Sequence, residues 1–522
     1  MIELKNYLAG QWQAGLGEGH IIKHAVSGQP VARCSTEGVD FKAALEWGRS
    51  QGGASLRALT FRQRGELLGQ MVSVLRQHLP EFYDIAATYG ATKTDARGDI
   101  EGGIGTLNVY AELGRRELPD RHYLTDGELV GLSPDGGFGG QHLYVSRCGL
   151  LVQINAYNYP AWGMLEKLGP SLLAGLPSLV KPAPQSAWLT VRMVEVLLEA
   201  GVVPEGGLQV AAGGPGDLLD HVTGQDVIAF TGSAETSYLI KSHPNVVRSG
   251  VRLNIETDSL NAAILGQDVE PHSPLFNSYI NEVFKEMTYK AGQKCTAIRR
   301  IIVPEELAEP VAVTLRDRLK AVSIGDPAKV DVTMGALVDH QAVEQVRQKI
   351  GQLAQEADII HGAPKRIGFV GGNSRDGAFM EPILLFVHDS EKTRLVHEIE
   401  PFGPVATVVP YQNLEQAIAL AVQGNGSLVT SIFTGDLETA TRLTLALAPY
   451  NGRLMVITDE AAASQSTGHG IAMPLLIHGG PGRAGGGEEL GGLRSVYHYL
   501  QRVAIQGSPA GFLQQFSTGS FD

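Results

Sequence analysis

One of the three cysteines in this 522-residue chain has a sequence context that suits nucleophilic chemistry. Cys295 lies in YKAGQKCTAIRR (289–300), between a lysine and a threonine and outside any apolar run. A thiol reacts as its thiolate, which a helix N-terminus, backbone amides or a nearby base must stabilise. The local sequence alone leaves both a nucleophile and a buried structural thiol open for Cys295. We interpret Cys34 and Cys148 as structural.

Motifs for other kinds of chemistry are missing from the sequence. There is no G-x-x-x-x-G-K-[ST] phosphate loop and no G-x-S-x-G nucleophile elbow. The 15 histidines are scattered, without H-E-x-x-H or C-x-x-C, so we predict no metal site. The glycine-rich segment 478–492 neither follows an obvious strand nor has G-x-G-x-x-G spacing, which favours a turn-rich connection.

Two series of alternating strands and helices are predicted to position these residues. The first ~125 residues are predicted to be mostly helical, with an amphipathic stretch at 61–90. Short apolar strands then alternate with helices from 149 to 265, and a second series runs from 272 to 460. Alternation of this kind predicts parallel sheets with helices on both faces. Cys295 falls in the loop between a helix that ends near Gly292 and the strand RRIIVP.

We therefore predict an α/β protein with two doubly wound parallel-sheet domains and a small β element. Residues 1–126 and 149–262 would form the first, dinucleotide-binding domain, and residues 263–478 the domain that carries the cysteine. The segments 127–148, which is hairpin-like around Pro-Asp-Gly-Gly, and 495–510 would form strands of an oligomer contact. We expect a homodimer or a larger homo-oligomer.

Length and charge limit the function classes. A chain of 522 residues exceeds one core, since single cores stop growing near ~250–300 residues. The formal net charge of -13 repels phosphate backbones and anionic membranes, so we expect no nucleic-acid or membrane partner. The start of the chain, MIELKNYLAGQWQAG, has no secretory signal, and no apolar run could span a bilayer, so we expect a cytoplasmic protein.

Six ordered segments of the chain resemble the aldehyde dehydrogenase superfamily. They are INAYNYP (154–160), SLVKP (178–182), FTGSAE (230–235), LNIETDS (253–259), GQKCT (292–296) and EPFGPV (400–405). The resemblance covers essentially the whole chain. Further segments, among them EMTYKAGQKCTAIRRIIVP, resemble one branch whose members oxidise CoA-linked semialdehydes in phenylacetate and benzoyl-CoA degradation.

The resemblance implies a covalent mechanism at Cys295. Its thiolate would add to the aldehyde, and the Asn158 amide and the Cys295 backbone N–H would hold the oxyanion. Each donor in comparable sites is worth ~2.7–4 kcal/mol. After hydride transfer to a nicotinamide, Glu256 would act as the general base that activates water to hydrolyse the thioester. Without the resemblance, Glu256 would be interpreted as a surface carboxylate at the end of a strand. With the resemblance, the glycine-rich segment 478–492 becomes a wall of the cleft around Cys295.

The resemblance also implies a set of cofactor-binding residues. Lys181 matches the lysine that contacts the adenine ribose or its phosphate. Glu400 matches the carboxylate that holds the nicotinamide ribose, and Phe402 packs beside it. The remaining residues assigned to the cofactor are Ile154, Asn155, Pro184, Gly214, Phe230, Gly232 and Ser233.

The sequence departs from the family pattern at three places. Pro184 replaces a glutamate that often binds the ribose hydroxyls in NAD-dependent members. Because its loss removes repulsion against a 2′-phosphate, NADP is the expected cofactor. Ser237 replaces a glycine near the start of a helix, and Thr-Asp-Ser at 257–259 replaces the usual Leu-Gly-Gly, a feature shared with the CoA-semialdehyde branch.

The expected substrate is a CoA-linked semialdehyde. We favour 3,4-dehydroadipyl-CoA semialdehyde because the chain ends at Asp522 without the hydratase domain of the phenylacetate-pathway relative. The alternatives are the phenylacetate-pathway substrate, 3-oxo-5,6-dehydrosuberyl-CoA semialdehyde, and a free aldehyde. Transfer of the acyl group to CoA is disfavoured because such enzymes typically lack the base that Glu256 supplies. A non-catalytic protein on the same fold is disfavoured by the intact Cys295, Glu256 and Asn158.

Overall fold

Residues 2–34 form strands, not helices. A computed structural model describes residues 1–365, 368–464 and 466–518 of the chain. The sequence-based prediction of mostly helix for the first ~125 residues is wrong here, because strands of three to five residues are too short to show a clear alternation. These strands are β1 Ile2–Leu4, β2 Asn6–Leu8, β3 Gln11–Gln13, β4 His20–Lys23 and β5 Pro30–Cys34.

Helices follow between residues 41 and 116. They are α1 Phe41–Trp47, α2 Gly53–Arg57, α3 Phe61–Gln77, α4 Leu79–Thr88 and α5 Lys93–Arg116. The amphipathic stretch predicted at 61–90 is thus two helices, which meet at His78. Capping boxes at Thr60 and Thr92 satisfy the free N–H groups in the first turns of α3 and α5. α3 and α5 pack side by side.

The predicted hairpin is present. It consists of β6 Tyr123–Gly131 and β7 Gly139–Ser146, which pair in antiparallel fashion with a bulge between Asp126 and Val130. The turn of the hairpin contains the Pro-Asp-Gly-Gly sequence at 134–137.

The first large sheet carries the elements of the predicted dinucleotide-binding domain. Its strands are β8 Leu151–Ile154, β9 Ser178–Lys181, β10 Leu208–Val210, β11 Val227–Thr231 and β12 Arg252–Glu256. Its helices are α6 Pro160–Leu173, α7 Ala187–Glu199, α8 Ala234–Lys241 and α9 Pro244–Ser249. The strand order is β12-β11-β8-β9-β10-β2-β3. The chain adds β9 and β10 on one side of β8 and then adds β11 and β12 on the other side, so the order of strands reverses between β8 and β11. A reversal of this kind opens a ligand crevice at the carboxyl ends of the strands.

The second large sheet follows the same design. Its region contains β13 Asn261–Leu265, β14 Ile298–Pro304, β15 Asp358–His361, β16 Gly368–Phe369, β17 Gly372–Asn373, β18 Ile383–Phe386, β19 Val405–Tyr411, β20 Ser427–Phe433 and β21 Asn451–Ile457. The helices are α10 Pro274–Thr288, α11 Glu305–Leu319, α12 His340–Leu353, α13 Leu414–Val422, α14 Leu437–Leu447 and α15 Asp459–Ala462. The order is β15-β18-β19-β14-β13-β20-β21, parallel except at β15. The predicted domain boundary at 262/263 lies inside β13, which belongs wholly to this sheet.

The last part of the chain packs against the two large sheets and pairs with the hairpin. It contains β22 Ile477–Gly479, β23 Glu488–Leu490, α16 Leu493–Tyr499, β24 Leu500–Gly507 and α17 Gln514–Thr518. The strand predicted in the tail begins at Leu500, since residues 495–499 are helical. β24 pairs with β7 along its whole length, so the hairpin and the tail form one three-stranded sheet. Among the described helices, none has the length and apolar character that crossing a membrane requires.

Candidate active site

Cys295 lies in a tightly held loop between α10 and β14, as the sequence predicts. The loop turns at Gly292, which has a φ of 65° and whose Cβ position would lie 2.2 Å from the carbonyl oxygen of Gly403. Arg299 donates to the carbonyl oxygens of Gly292 at 2.8 Å and Gly403 at 2.6 Å. Asn261 donates to the carbonyl oxygen of Cys295 at 2.8 Å. The backbone around the thiol is therefore fixed from both sides.

The three residues predicted to be catalytic come together. Asn158 follows β8, Glu256 ends β12, and both line the same two cavities as Cys295. The Asn158 amide donates to the carbonyl oxygen of Gln293 at 3.0 Å, beside the thiol. His478 in β22 joins them, with its Nε2 3.0 Å from Glu256 Oε2 and 3.9 Å from Cys295 Sγ.

Burial and charge set the protonation of these side chains. Burial raises the pKa of the Cys295 thiol, and the Glu256 carboxylate raises it further, so the resting thiol is protonated at neutral pH. Burial also opposes ionisation of Glu256, but the His478 imidazole and the Lys167 ammonium outweigh it and hold its pKa well below the ordinary value. Glu256 in turn raises the pKa of His478, against the effect of burial. The thiol thus faces an ionised carboxylate.

A second buried group of charges lies behind Glu256. Lys167 Nζ lies 3.0 Å from Glu166 Oε1 and 3.6 Å from Glu489 Oε1. Trp162 Nε1 donates to the other oxygen of Glu166 at 3.0 Å. Burial raises the pKa of Glu489 to about 7, although Lys167 opposes the shift. The two carboxylates thus share one buried ammonium, and burial keeps the proton affinity of Glu489 high.

A cavity of about 360 Å³ connects the carboxyl ends of the first sheet with Cys295. Gly214 does not line it, and its carbonyl oxygen accepts a hydrogen bond from Thr36 Oγ1 at 2.7 Å instead. The other residues assigned to the cofactor all line this cavity: Ile154, Asn155, Lys181, Pro184, Phe230, Gly232, Ser233, Glu400 and Phe402.

Lys181, at the end of β9, is a buried cation. Its side chain is 7% exposed, and the charge that acts on it most is the Cys34 thiol. Burial raises the pKa of Cys34 to about 11, so this thiol is neutral at pH 7 and does not compensate the lysine. Burial lowers the pKa of Lys181 to about 8. Pro184 lines the same cavity and adds no charge. This end of the cavity is suited to an anionic group of a ligand.

Glu400 is held at the opposite end of the cavity. The backbone N–H of Ser259 donates to its Oε2 at 3.1 Å, and Arg299 Nε lies 3.8 Å from its Oε1. Burial raises the pKa of Glu400 to about 7, with Arg299 acting against the shift. Phe402 meets the ring of Tyr157 edge-on, with 5.9 Å between the centroids. These contacts fix both side chains against the cavity wall.

The unusual Thr-Asp-Ser sequence at 257–259 ties three parts of the site together. Thr257 N–H donates to the carbonyl oxygen of Ala484 in the glycine-rich segment at 3.0 Å. Asp258 Oδ1 accepts from the backbone N–H of Ala234 in the first turn of α8 at 3.0 Å. Ser259 holds Glu400. These three residues, which replace the usual Leu-Gly-Gly, therefore hold the end of β12 that carries Glu256, the first turn of α8, and Glu400. The resemblance assigns Glu400 to the nicotinamide ribose.

A second, smaller cavity of about 60 Å³ also reaches Cys295. Glycines form part of its wall. At Gly98 a Cβ atom would lie 1.7 Å from the Tyr289 hydroxyl, whereas at Gly163 nothing lies within 4 Å. The full lining is Gly98, Ala156, Asn158, Tyr159, Trp162, Gly163, Glu166, Thr231, Glu256, Tyr289, Cys295, Thr296, Gly470, Ile471, Ala472 and His478. Cys295 lies where the two cavities meet.

His478 is the site residue that sequence reasoning missed. The prediction of a turn-rich connection for 478–492 is incomplete, because β22 and β23 pair across the segment and bring His478 to the thiol. The position of His478 at the start of a glycine-rich segment could have marked it as a candidate site residue. However, it is one of 15 histidines and lies far from Cys295 in the chain, so no spacing links the two residues.

A fold of two mostly parallel sheets with a cysteine between a large cavity and a second, smaller one defines a class of enzyme. The chain belongs to the aldehyde dehydrogenase family, whose model matches residues 17–471. This finding confirms the predicted resemblance and makes the protein an aldehyde dehydrogenase.

Individual relatives and solved structures show how similar this chain is to particular members of the family. The 3,4-dehydroadipyl-CoA semialdehyde dehydrogenase of Aromatoleum evansii is 42% identical over 481 residues, which is 92% of this chain and 93% of that protein. Protein MaoC of Klebsiella aerogenes is 46% identical over 176 residues, 34% of this chain and 51% of that one. The betaine aldehyde dehydrogenase of Staphylococcus aureus, solved in complex with NAD+, has a TM-score of 0.81 at 21% identity over 97% of this chain and 95% of its own. The last comparison confirms the predicted fold.

Proposed function

We propose that the protein oxidises a CoA-linked semialdehyde, 3,4-dehydroadipyl-CoA semialdehyde in the first place, to the carboxylic acid with NADP. The observation that carries the proposal is the position of Cys295, beside Asn158 and Glu256, where the larger cavity meets the smaller one. The relative from Aromatoleum evansii, which is named for this substrate, supports the substrate class.

The proposed reaction begins at the thiol. Glu256 takes the proton of Cys295, and the sulfur adds to the aldehyde carbon while the carbonyl electrons move to oxygen. The Asn158 amide and the Cys295 N–H stabilise this oxyanion. The bound nicotinamide supplies the hydride acceptor. Once the C–H electron pair has left, the oxyanion re-forms the carbonyl and a thioester remains on Cys295.

Hydrolysis completes the proposed cycle. Glu256 removes a proton from a water molecule, whose oxygen attacks the thioester carbon. The C–S bond then breaks, the carboxylic acid leaves, and the sulfur recovers a proton. Glu256 must be ionised again between the two steps, and the ammonium of Lys167 behind it supports release of its first proton.

We propose NADP as the cofactor because the end of the cavity where its adenine ribose would bind carries a positive charge. Lys181 is a buried ammonium on which no carboxylate of the described residues acts, and Pro184 stands where a glutamate would repel a 2′-phosphate. Glu400 and Phe402 lie at the other end, near Cys295, where the nicotinamide would be held.

The smaller cavity supports a substrate with an unbranched chain. Its wall leaves space at Gly163, so the acyl chain would reach Cys295 there while the bulky CoA group remains outside. NADPH formation with 3,4-dehydroadipyl-CoA semialdehyde and with short free aldehydes tests the proposal. We expect kcat/KM to be higher for the CoA substrate by about a hundredfold or more. Equal efficiency on short free aldehydes would refute the CoA link.

A matched pair of glycine variants tests the role of the cavity. Gly163 and Gly105 both lie in helices with nothing within 4 Å of a Cβ atom, but only Gly163 lines the cavity. Gly163→Leu should raise KM for the CoA substrate, and Gly105→Leu should not. If the two variants behave alike, the acyl chain takes another path.

The three-stranded sheet is the proposed contact between copies of the chain. Apolar side chains are exposed on and around its strands, namely Leu129, Val130, Leu132, Phe138, Val503 and Phe512. Exposed apolar side chains grouped in this way are typical of interaction surfaces. Val130→Asp together with Leu132→Asp should lower the molar mass measured by light scattering, and an unchanged mass would place the contact elsewhere.

A further inference from the structure

Glu256, Cys295 and His478 bring three potential metal-ligand atoms close together. His478 Nε2 lies 3.0 Å from Glu256 Oε2 and 3.9 Å from Cys295 Sγ. The carboxylate oxygen, the sulfur and the ring nitrogen all lie within 4.8 Å of one another. The residues come from β12, the loop after α10 and β22, so three separate segments converge here.

The Glu256 carboxylate is buried without a hydrogen-bond donor. Its side chain is 2% exposed, yet neither oxygen accepts a hydrogen bond from any residue in the described part of the chain. His478 approaches one of them at 3.0 Å as an ion-pair partner, and together with Lys167 it supplies the positive charge that compensates the buried carboxylate. Both oxygens still have lone pairs that a cation beside Cys295 could bind.

The donor set and its compactness suit zinc. The oxygen, nitrogen and sulfur atoms lie close enough together for one ion to contact all three, and zinc bonds to such ligands span about 2.0–2.3 Å. Thiolate, imidazole and carboxylate are all zinc ligands, and zinc sites with three protein ligands keep a fourth, open position. Here that position would face the cavities that meet at Cys295.

We propose that Glu256, Cys295 and His478 form a tetrahedral site for a divalent cation of the zinc type, and that its occupation switches the enzyme off reversibly. On binding, the thiol proton leaves to solvent and the thiolate becomes a ligand, with no electron transfer. The bound sulfur cannot add to an aldehyde, and the bound Glu256 cannot accept a proton. The site depends on neither the CoA substrate nor the NADP preference.

Cobalt spectroscopy tests the site without an activity assay. The probe is Co²⁺ added to the cofactor-free full chain carrying Cys148→Ser, since Cys148 is exposed and Cys34 is buried. We expect thiolate-to-cobalt absorption and tetrahedral visible bands at one equivalent per chain, both abolished by excess Zn²⁺. His478→Gln and Glu256→Gln should each weaken cobalt binding by about tenfold or more. Absence of these bands, or unchanged binding in both variants, would overturn the proposal.

Inhibition by zinc gives the functional readout. Zn²⁺ should inhibit the wild-type protein, EDTA should restore its activity, and bound Zn²⁺ should slow alkylation of Cys295 by iodoacetamide. His478→Gln, normalised to its own metal-free activity, should need about tenfold or more Zn²⁺ for half inhibition. His388→Gln, at an exposed histidine, is the matched control and should inhibit like the wild type. If His478→Gln does not fold, Glu256→Gln in the cobalt titration decides.

Discussion

The side-chain amide of Asn158 donates a hydrogen bond to the carbonyl oxygen of Gln293, 3.0 Å away and two residues before Cys295. The contact fixes which end of the amide faces the cysteine loop. Because an amide nitrogen carries two hydrogens, one remains for an oxygen held at the thiol. The loop thus orients the donor that the proposed chemistry needs.

Asn158→Ala should slow hydride transfer. Loss of one donor in such a site costs about 10²–10³ in kcat, because charge on the oxyanion develops in the transition state. Single-turnover formation of reduced cofactor measures this step directly. Alkylation of Cys295 by iodoacetamide should keep its wild-type rate, since the thiol itself is intact. A drop in both rates would point to a displaced loop instead.

Cys295→Ala should abolish dehydrogenase activity, whereas Cys148→Ser should retain it. Only Cys295 lies where the two cavities meet, and Cys148 is exposed elsewhere. Steady-state assays of both variants at saturating cofactor give the comparison. Activity that survives without the Cys295 sulfur would exclude a covalent thioester.

Glu256→Gln should separate the two halves of the reaction. Glutamine cannot take a proton from water, so thioester hydrolysis should fall by about 10²–10⁴. Formation of reduced cofactor should also slow, because Glu256 takes the proton of the Cys295 thiol, but hydrolysis should slow more, so that the acyl-enzyme accumulates and is visible by intact mass spectrometry. An equal loss of both steps without any acyl-enzyme would contradict a role of Glu256 in hydrolysis.

The preference for NADP should weaken as the pH rises through 8. Lys181 binds a 2′-phosphate as the ammonium, and burial lowers its pKa to about 8, so the charge is present below that pH and lost above it. KM for NADP should therefore increase between pH 7 and pH 9 more than KM for NAD. Lys181→Gln should remove this difference.

Pro184→Glu provides the complementary change in cofactor choice. A carboxylate beside the ribose should repel the 2′-phosphate and accept from the hydroxyls of NAD. We expect the ratio of kcat/KM for NADP to that for NAD to fall by about tenfold or more. A wild-type enzyme that already favours NAD would contradict both cofactor predictions.

Gly292→Ala should impair both stability and activity. Its φ of 65° and the 2.2 Å separation from the Gly403 oxygen leave no room for a Cβ atom. Left-handed backbone at a non-glycine residue costs about 1–3 kcal/mol, and the clash would move the Cys295 loop. Gly250→Ala is the matched control, because Gly250 has a φ of 61° but nothing within 4 Å. Both variants should have a lower Tm, but only Gly292→Ala should lose activity.

Short segments at strand ends made much of the site predictable from the sequence. Lys181 and Glu256 each close a parallel strand, and Cys295 lies in a loop just before one, so their motifs carry both identity and position. The alternation of strands and helices from 149 onward predicts the two sheets, since it reports burial on both faces.

The features that were missed depend on contacts between distant segments. His478 meets Glu256, and Lys167 meets Glu489, only because β22 and β23 fold back onto the first sheet. Nothing in the local sequence of either partner encodes such a pair. The strands before residue 35 were missed for another reason, because three to five residues give too few alternations to identify.

The pairing of β24 with β7 can form only after nearly the whole chain has been synthesised. One edge of β7 pairs only with residues 500–507. The separation along the chain is large: Arg147, just after β7, donates to the side chain of Gln501, which lies 354 residues later. At a translation rate of about 5–20 residues per second, that edge stays unpaired on the ribosome for roughly 20–70 s. An open strand edge is a template for pairing with other chains. Newly made copies of this protein therefore pass through an interval in which the hairpin needs protection before it finds its own partner strand.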